Sequence, residues 1–230
     1  MRLALISDIH GNLEAFDSVL QDIKRLKLDK IMCCGDIVNY CANPNEVIDL
    51  LKENKVICVQ GNHDIHAVDM KEMDKFNAFA QKGLRWTNLV LKKESKDFLK
   101  NLPKVYRGEI DGRRLIFVHG SLENPWWDYV YPNTNESILK NYLEKSKAHV
   151  IVCGHTHLPF IKRVDGRLVV NCGSVGQPRD HNNKASYCVL DTHSLRAHIN
   201  RVEYDIDSVA KKIISAGLPG YLAERLSVGR

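Results

Sequence analysis

Short apolar runs alternate with stretches of helical spacing along most of the chain, a pattern typical of an α/β fold. A helix is predicted over residues 12–27, where one face would carry Leu13, Phe16, Leu20 and Ile23. Further helices are predicted from residue 43, over 137–145 and over 206–216. The apolar runs predict strands at 3–6, 30–34, 56–60, 106–110, 114–118, 150–153, 160–164, 168–171, 186–191 and 197–202.

Residues 65–103 break this alternation. Phe76, Leu84 and Val90 recur there at helical spacing, and a second short helix ends before Pro103. We therefore predict a small helical insertion at about 65–103. No repeat, low-complexity segment or linker divides the chain, so residues 1–230 are predicted to form one domain.

Five of the apolar runs end in a polar cluster that contains metal-ligand side chains. The clusters are Asp8-Ile9-His10, Gly35-Asp36, Gly61-Asn62-His63-Asp64, His119-Gly120 and Gly154-His155-Thr156-His157. If the runs are strands of one sheet, every cluster lies just past a carboxyl end, where α/β sheets collect ligands. The alternative is a set of polar turns, which has to account for five clusters that hold five of the ten histidines.

Seven side chains in these clusters offer oxygen or nitrogen ligands: Asp8, His10, Asp36, Asn62, His119, His155 and His157. This number exceeds the needs of one ion, and a carboxylate shared between two ions would make a dinuclear site. Two ions about 3.5–4 Å apart clamp the attacking and leaving oxygens of a phosphoryl displacement and supply hydroxide at neutral pH. The ligand types suit manganese, with iron, zinc or nickel as alternatives.

The motifs DIH, GD, GNHD, HG and GHTH together resemble those of the calcineurin-like metallophosphoesterase superfamily, in particular its small prokaryotic phosphodiesterase-type members. The stretch 171–180 is also similar to these members. The resemblance implies two mixed β-sheets packed as a sandwich flanked by helices. It also implies two divalent metal ions, with Asp36 bridging. The implied ligands are Asp8, His10, Asp36 and His157 for the first ion, and Asp36, Asn62, His119 and His155 for the second.

The same resemblance leaves His63 without a metal and implies that it faces the scissile phosphate. There it would protonate the leaving group or stabilise its charge, which suits a side chain that titrates near neutrality. Asp64 is expected to orient His63 or to stabilise its charge. The alternative is that His63 only supports the metal ligands.

The predicted enzyme is a dinuclear-metal phosphoesterase that hydrolyses a small phosphodiester or nucleotide by attack of a metal-bound hydroxide. An asymmetrical dinucleoside tetraphosphate hydrolase is the alternative specificity, suggested by the 171–180 stretch and the insertion. Protein phosphatases and symmetrical dinucleotide tetraphosphatases carry GD-x-V-D-R-G and GNHE, from which residues 37–40 and Asp64 depart. A protein-interaction scaffold is the alternative of a different class, but scaffolds of this family lose metal ligands, and all seven are present here.

Four residues are candidates for substrate contact: Trp86, Trp127, Tyr129 and Arg179. An aromatic ring can stack on a nucleobase, and a guanidinium can bind a phosphate through two hydrogen bonds. Core packing is the favoured interpretation for Trp86, and packing over the insertion is the alternative for Trp127. A structural salt bridge is the alternative for Arg179.

Composition narrows the partners. A net charge of +5 over 230 residues is too small for a dedicated nucleic-acid binder. The N-terminus meets Asp8 too early for a signal peptide, and no apolar run reaches the roughly 18 residues of a membrane span. Seven cysteines without a C-x-x-C pair predict buried, reduced thiols. We therefore expect a cytoplasmic protein whose partner is a small phosphorylated substrate, with no membrane and no specific nucleic acid; a homo-oligomer stays open.

Overall fold

The computed structural model describes residues 1–230 and contains ten strands, eight α-helices and a 3₁₀ turn at Met73–Lys75. The strands are β1 (Arg2–Ile6), β2 (Lys30–Cys33), β3 (Ile57–Cys58), β4 (Val105–Ile110), β5 (Arg113–Val118), β6 (Val150–Cys153), β7 (Phe160–Val164), β8 (Arg167–Asn171), β9 (Ala185–Asp191) and β10 (Arg196–Val202). The helices are α1 (Leu13–Arg25), α2 (Pro44–Glu53), α3 (Asn62–Asp69), α4 (Ala78–Val90), α5 (Lys93–Lys100), α6 (Glu136–Ser146), α7 (Ile206–Ser215) and α8 (Gly220–Val228). None of these helices has the length and apolar character needed to cross a bilayer.

The strands form two five-stranded sheets, which confirms the two mixed sheets that the motif resemblance implied. One sheet has the order β10-β9-β1-β2-β3, and the other has the order β4-β5-β6-β8-β7. In each sheet three adjacent strands pair parallel, β1, β2 and β3 in the first and β5, β6 and β8 in the second, and the other neighbouring strands pair antiparallel. The assumption that the five apolar runs that precede the ligand clusters belong to one sheet is wrong. β1, β2 and β3 lie in the first sheet, and β5 and β6 lie in the second.

Side-chain alternation along the strands explains how the two sheets pack. Leu3 and Leu5 of β1 face the same apolar cluster as Leu115 and Phe117 of β5, so this cluster lies between the sheets. Alternate residues face outward: Ala4 and Ile6 join the cluster formed with α1 and α2, while Ile116 and Val118 join the one beneath α6. The result is helices, sheet, sheet and helix in four layers.

Three helices, α3, α4 and α5, occupy the part of the chain for which we predict a helical insertion at about 65–103, and the first of them starts at Asn62. Phe76, Ala80, Leu84 and Leu99 are buried in the same cluster as the α1 side chains. The insertion therefore packs onto the outer face of the first sheet, beside the carboxyl ends of its strands.

The C-terminal tail, for which the sequence predicted no element, forms α8. Its buried Leu222 and Leu226 pack in the cluster that also holds Ile213 of α7. This contact fixes the orientation of α8.

All seven cysteines are buried and free, as the sequence predicted. Burial raises the pKa of the Cys41 thiol, which lies five residues after Asp36 in the sequence. A neutral, packed thiol of this kind is an inert part of the core.

Asn171, at the end of β8, is a fully buried polar clamp and generates a stability prediction. Its amide donates to the Gly154 carbonyl at 2.7 Å and to Thr156 Oγ1 at 3.0 Å, and it accepts from the Gly173 N–H at 2.9 Å. Asn171→Ala would leave buried backbone groups unpaired, so we expect a loss of about 2–4 kcal/mol in the free energy of unfolding. Chemical denaturation measures this loss.

The matched control is Asn101→Ala on the exposed end of α5, where the amide donates only to the Asp97 carbonyl. We expect a change of no more than about 0.5 kcal/mol for this variant. Equal losses in the two variants would show that the Asn171 clamp does not stabilise the fold.

Candidate metal centre

The predicted ligands meet where strands of both sheets end. Their positions are Asp8 and His10 after β1, Asp36 after β2, Asn62 at the start of α3, His119 after β5, and His155 and His157 after β6. All seven side chains are buried, at most 5% exposed. The site is therefore a seam between the carboxyl ends of two sheets, not a crevice at the edge of one.

The loops of this seam carry a strained backbone that their neighbours hold in place. Asp8, His10, Asp36, His155 and His157 all have φ between 52° and 66°, in the left-handed region. Such positions cost of order 1–3 kcal/mol each and persist where the surroundings over-determine them. Here the Asp8 N–H donates to the Gly35 carbonyl at 2.9 Å, and the His10 N–H donates to the Asp36 carbonyl at 3.0 Å.

Two motif glycines are required because the carboxylates lie against the backbone. A Cβ added at Gly61 would lie 2.1 Å from Asp36 Oδ1, and one added at Gly154 would lie 2.6 Å from Asp8 Oδ2. No side chain fits at either position without displacing a carboxylate. This explains why the GNHD and GHTH motifs both begin with glycine.

Each buried aspartate uses one oxygen for the fold and turns the other toward imidazoles. Asp8 Oδ2 accepts a hydrogen bond from the backbone N–H of His155 at 3.1 Å. Asp36 Oδ1 accepts one from the backbone N–H of His63, at the start of α3, at 2.9 Å. The free oxygens are Asp8 Oδ1, 3.2 Å from His157 Nε2, and Asp36 Oδ2, 3.2 Å from His119 Nε2. Asp36 Oδ2 also lies 3.7 Å from His10 Nε2 and so stands between the two groups of ligands.

The first group consists of Asp8, His10 and His157. The Nδ1 atoms of His10 and His157 contact the Val38 and Gln177 carbonyls, so each neutral ring carries its proton on Nδ1. Both Nε2 atoms then present lone pairs, yet they lie 3.1 Å apart. Two lone pairs at this distance repel each other unless a cation accepts both, and a ring N–H bound to a carbonyl is typical of metal-bound histidine.

The second group consists of Asp36, His119 and His155. His119 Nδ1 contacts the Cys34 carbonyl at 2.8 Å, which leaves a lone pair on Nε2, 3.1 Å from His155 Nδ1. Three buried atoms at the seam have no hydrogen-bond partner at all: Asp8 Oδ1, Asn62 Oδ1 and His155 Nε2. Unpaired buried oxygen and nitrogen acceptors fit cations, so the residues present suit two divalent ions.

Burial and neighbouring charges keep Asp36 charged and most of the histidines at the seam neutral. Burial lowers the pKa values of His10, His155 and His157 well below the ordinary range. Burial would raise the pKa of Asp36, but His119 and the other imidazoles hold it well below its usual value. Burial likewise opposes the charge on His119, yet Asp36 beside it raises the pKa of His119 to about 9.

His63 lies beside these groups with its orientation set by Asn39, a residue that sequence reasoning missed. The Asn39 amide nitrogen donates to His63 Nδ1 at 2.6 Å, and its oxygen accepts from the Tyr40 N–H at 2.7 Å. The proton of the neutral ring therefore sits on Nε2, which points toward Asp36 Oδ2 at 3.8 Å. Burial lowers the pKa of His63 to about 4, so the ring is neutral at pH 7.

Asp64, which we expect to orient His63 or to stabilise its charge, makes its hydrogen bonds to backbone N–H groups. Asp64 Oδ1 accepts from the backbone N–H groups of Ile37 and Val38, and Oδ2 accepts from the Gly61 N–H. Neighbouring residues on a helix point in different directions, so adjacency in GNHD does not bring the two side chains together. Asp64 instead ties the start of α3 to the loop after β2.

The 171–180 stretch holds the first motif loop. The Val175 and Gly176 N–H groups donate to the Ser7 and Asp8 carbonyls, each at 3.0 Å, and Ser174 Oγ donates to the Asp8 carbonyl at 2.7 Å. The likeness of this stretch to family members therefore reflects support of Asp8.

A cavity of about 290 Å³ opens in front of the ligands, and two of the four substrate candidates are aromatic members of its wall. Tyr129 stacks on the His155 ring at 4.0 Å, and Trp127 stacks on His66 at 5.5 Å. Trp86 does not line the cavity and packs against the apolar cluster of α1, as the favoured interpretation held.

Arg179 also lines the cavity, and no salt bridge to a carboxylate holds it. Its guanidinium donates to Gln177 Oε1 at 3.0 Å, while its Nε is buried without a partner. The cavity includes two further residues that sequence reasoning missed, Tyr221 and Arg225 of α8.

This fold and ligand seam define a class of protein. Residues 1–195 match the family model of the calcineurin-like phosphoesterase superfamily domain, and the chain belongs to this superfamily. It is therefore a metal-dependent phosphoesterase, a hydrolase that acts on phosphoric esters, as the motifs predicted.

Relatives and solved structures agree with this assignment. A protein of Methanocaldococcus jannaschii, MJ0912, is 40% identical over 244 aligned residues, which cover 99% of this chain and 98% of that protein. The phosphodiesterase YfcE of Escherichia coli K12 is 28% identical, covering 85% of this chain and 90% of its own. The crystal structure of a metallophosphoesterase from Sphaerobacter thermophilus has a TM-score of 0.85 at 35% identity, covering 100% of this chain and 99% of that one.

Metal-free protein should lose stability on mild acidification. The lowered pKa values of His10, His63, His155 and His157 keep these rings neutral when folded, whereas the unfolded chain takes up protons below about 6.5. The unfolded state then binds more protons, so stability falls as the pH falls from 6.5 toward 4. The pKa of Asp64, raised to about 7 by burial, works in the opposite direction but is one group against four.

We expect the Tm of the chelator-treated protein to be at least about 5 °C lower at pH 5 than at pH 6.5. His119 does not change the expected difference between pH 5 and pH 6.5. Its raised pKa, about 9, stabilises the folded state below pH 6.5, and this stabilisation is lost only as the pH rises above 6.5. His193→Gln, at an exposed histidine, should keep the full difference, and His157→Gln should narrow it. A Tm that stays constant or rises between pH 6.5 and 5 contradicts the prediction.

Proposed function

We propose that the protein is a dinuclear-metal phosphodiesterase that hydrolyses a small phosphodiester or nucleotide. In this proposal Asp8, His10, Asp36 and His157 bind one ion. Asp36, Asn62, His119 and His155 bind the other, with Asp36 shared. The ions, when bound, supply activated water at neutral pH and neutralise the charge of the phosphate. Manganese is the metal we propose, with iron, zinc and nickel as the other metals that suit these ligands.

The observation that carries the proposal is the position of Asp36 Oδ2. It lies 3.2 Å from His119 Nε2 in one ligand group and 3.7 Å from His10 Nε2 in the other. A single carboxylate oxygen between imidazole nitrogens of both groups supports a shared ligand. The unpaired, buried Asn62 Oδ1 supports a fourth ligand in the second group.

His63 is the residue we propose to act on the leaving group. With its proton fixed on Nε2 by Asn39, the neutral ring donates a hydrogen bond rather than accepting one. His63 lines the cavity, where a hydrogen-bond donor can stabilise negative charge that develops on the departing oxygen. The low pKa of His63 favours this hydrogen-bonding role over delivery of a proton from an imidazolium at pH 7.

The alternatives find less support. Asymmetrical dinucleoside tetraphosphate hydrolysis was suggested partly by the 171–180 stretch, whose hydrogen bonds go to the first motif loop. A scaffold would not need seven buried ligand side chains with unpaired acceptor atoms. We also propose a reducing compartment, the cytoplasm, because seven buried cysteines stay free.

Asp36→Asn tests the shared ligand. We expect hydrolysis of bis(p-nitrophenyl) phosphate with added Mn²⁺ to fall at least about 100-fold, because the substitution removes a charge from both groups. Metal content by mass spectrometry should fall from two ions per chain. Asp207→Asn on the exposed face of α7 is the matched control and should retain both. Wild-type protein that binds no divalent metal would overturn the proposal.

His63→Ala separates catalysis from metal binding. We expect two ions per chain to remain, with turnover of the same ester lowered by about 10²–10⁴-fold, the usual range for a hydrogen-bonding or proton-transferring group. Steady-state kinetics and metal analysis on one preparation provide both measurements. Unchanged turnover would remove His63 from the mechanism, and loss of metal would assign it to the support of the ligands.

A further inference from the structure

The cavity wall carries two arginines that have no aspartate or glutamate partner. Elsewhere in the chain, Arg25 and Arg201 are paired with the carboxylates of Asp22 and Asp180. Neither Arg179 nor Arg225 is paired with an aspartate or glutamate side chain, although both line the same cavity. Two guanidinium groups therefore line one cavity.

Each of these arginines is held by a hydrogen bond from its guanidinium. Arg179 donates to the neutral Gln177 Oε1 at 3.0 Å, and Arg225 Nε donates to the main-chain oxygen of Arg230. Arg179 Nε is buried and has no partner. Burial, with Arg179 nearby, lowers the pKa of Arg225, which shows that the two charges are close enough to repel. Partly buried guanidiniums that repel each other form a site for an anion with several oxygens.

An aromatic surface adjoins the arginines. Tyr221 and Arg225 are four residues apart on α8 and so share a face, with the guanidinium 5.4 Å from the Tyr221 ring centroid. The Tyr221 ring stacks on Phe79 of α4 at 4.7 Å with 27° between the planes. Both rings line the cavity, and they remain 44% and 40% exposed. Exposed aromatic faces are platforms for a planar base.

Contacts link the ligand seam, the arginine pair and the aromatic pair in that order. The backbone N–H of Arg179 lies 3.5 Å from the carbonyl of His157 in the seam, and the Arg225 guanidinium lies 5.4 Å from the centre of the Tyr221 ring. The cavity of about 290 Å³ is at the lower end of ligand-site volumes, so it suits phosphates inside and a base at the rim. Tyr221 and Arg225 lie beyond residue 195, where the match to the family model ends.

The geometry points to a nucleoside diphosphate group as the part of the substrate that this cavity recognises. Its terminal phosphate binds at the seam, its inner phosphate binds Arg179 and Arg225, and its base stacks against Phe79 and Tyr221. This inference rests on the proposed function, because the seam must bind a phosphate for the order to hold.

Calorimetric titration tests the arginine pair without requiring turnover. The probes are α,β-methylene-ADP, in which a non-hydrolysable methylene bridge joins the two phosphates, and AMP, which has one phosphate. We expect the purified metal-bound protein to bind the diphosphate at least about tenfold more tightly than AMP. Arg225→Gln should reduce this preference to about twofold or less, and Arg225→Lys should keep part of it.

The matched control is Lys211→Gln, which removes one positive charge from the exposed face of α7. We expect it to keep the full preference for the diphosphate. Equal loss in the two variants would mean that net charge alone attracts the diphosphate, and an undiminished preference in Arg225→Gln would mean that Arg225 only packs α8. Either result overturns the inference.

The base is tested separately with methylenediphosphonate, which has the two phosphate groups but no nucleoside. We expect Tyr221→Leu to weaken binding of α,β-methylene-ADP about tenfold and that of methylenediphosphonate by less than about twofold. Equal weakening of both probes would exclude base stacking and contradict the nucleoside part of the inference.

Hydrolysis of bis(p-nitrophenyl) phosphate by the wild-type protein keeps the two proposals distinguishable. If this ester is hydrolysed but the protein shows no preference for the diphosphate over AMP, only the nucleoside diphosphate inference fails. If the ester is not hydrolysed and no metal is bound, the proposed function fails, and the inference that rests on it fails too.

Discussion

Two carboxylates buried between the ends of two sheets are the constraint on which the rest of the site depends. Asp8 and Asp36 are at most 1% exposed, and a buried charge is tolerated only where hydrogen bonds and opposite charge compensate it. Peptide N–H groups bind one oxygen of each, and imidazole nitrogens face the other. The left-handed backbone and the absence of a side chain at Gly61 and Gly154 are what bring these partners within reach.

The strand-end clusters could be predicted from the sequence because each is local: an apolar run, a glycine and a ligand within a few residues. Their assembly could not, because pairing of β1 with β9, and separation of β5 and β6 into a second sheet, depend on contacts between distant segments. The two-sheet arrangement was expected only from the resemblance of the motifs. The roles within GNHD were also beyond the pattern, because Asp64 contacts backbone N–H groups that the sequence does not mark.

The residues that sequence reasoning missed have weak signals for the same reason. Asn39 is a single amide in a loop, and its contact with His63 depends on a backbone φ of 80°. Tyr221 and Arg225 share a face only once the tail is known to be helical. The ligands lie on strand ends near the centre of the fold, whereas Tyr221 and Arg225 lie on the C-terminal helix. Reaction chemistry and the shape of the cavity can therefore change independently.

The hydrogen bonds between the 171–180 stretch and the first motif loop can form only late in biosynthesis. β1 pairs with β2 on one side, but its other neighbour, β9, lies about 180 residues further along the chain. At about 5–20 residues per second, roughly 10–40 s of elongation separate the two strands. During that interval β1 is an unpaired sheet edge of apolar residues, and Asp8 lacks the Ser174 and Gly176 contacts that hold its loop. A nascent chain of this protein is thus most exposed to aggregation, and least able to bind metal, until its last third has left the ribosome.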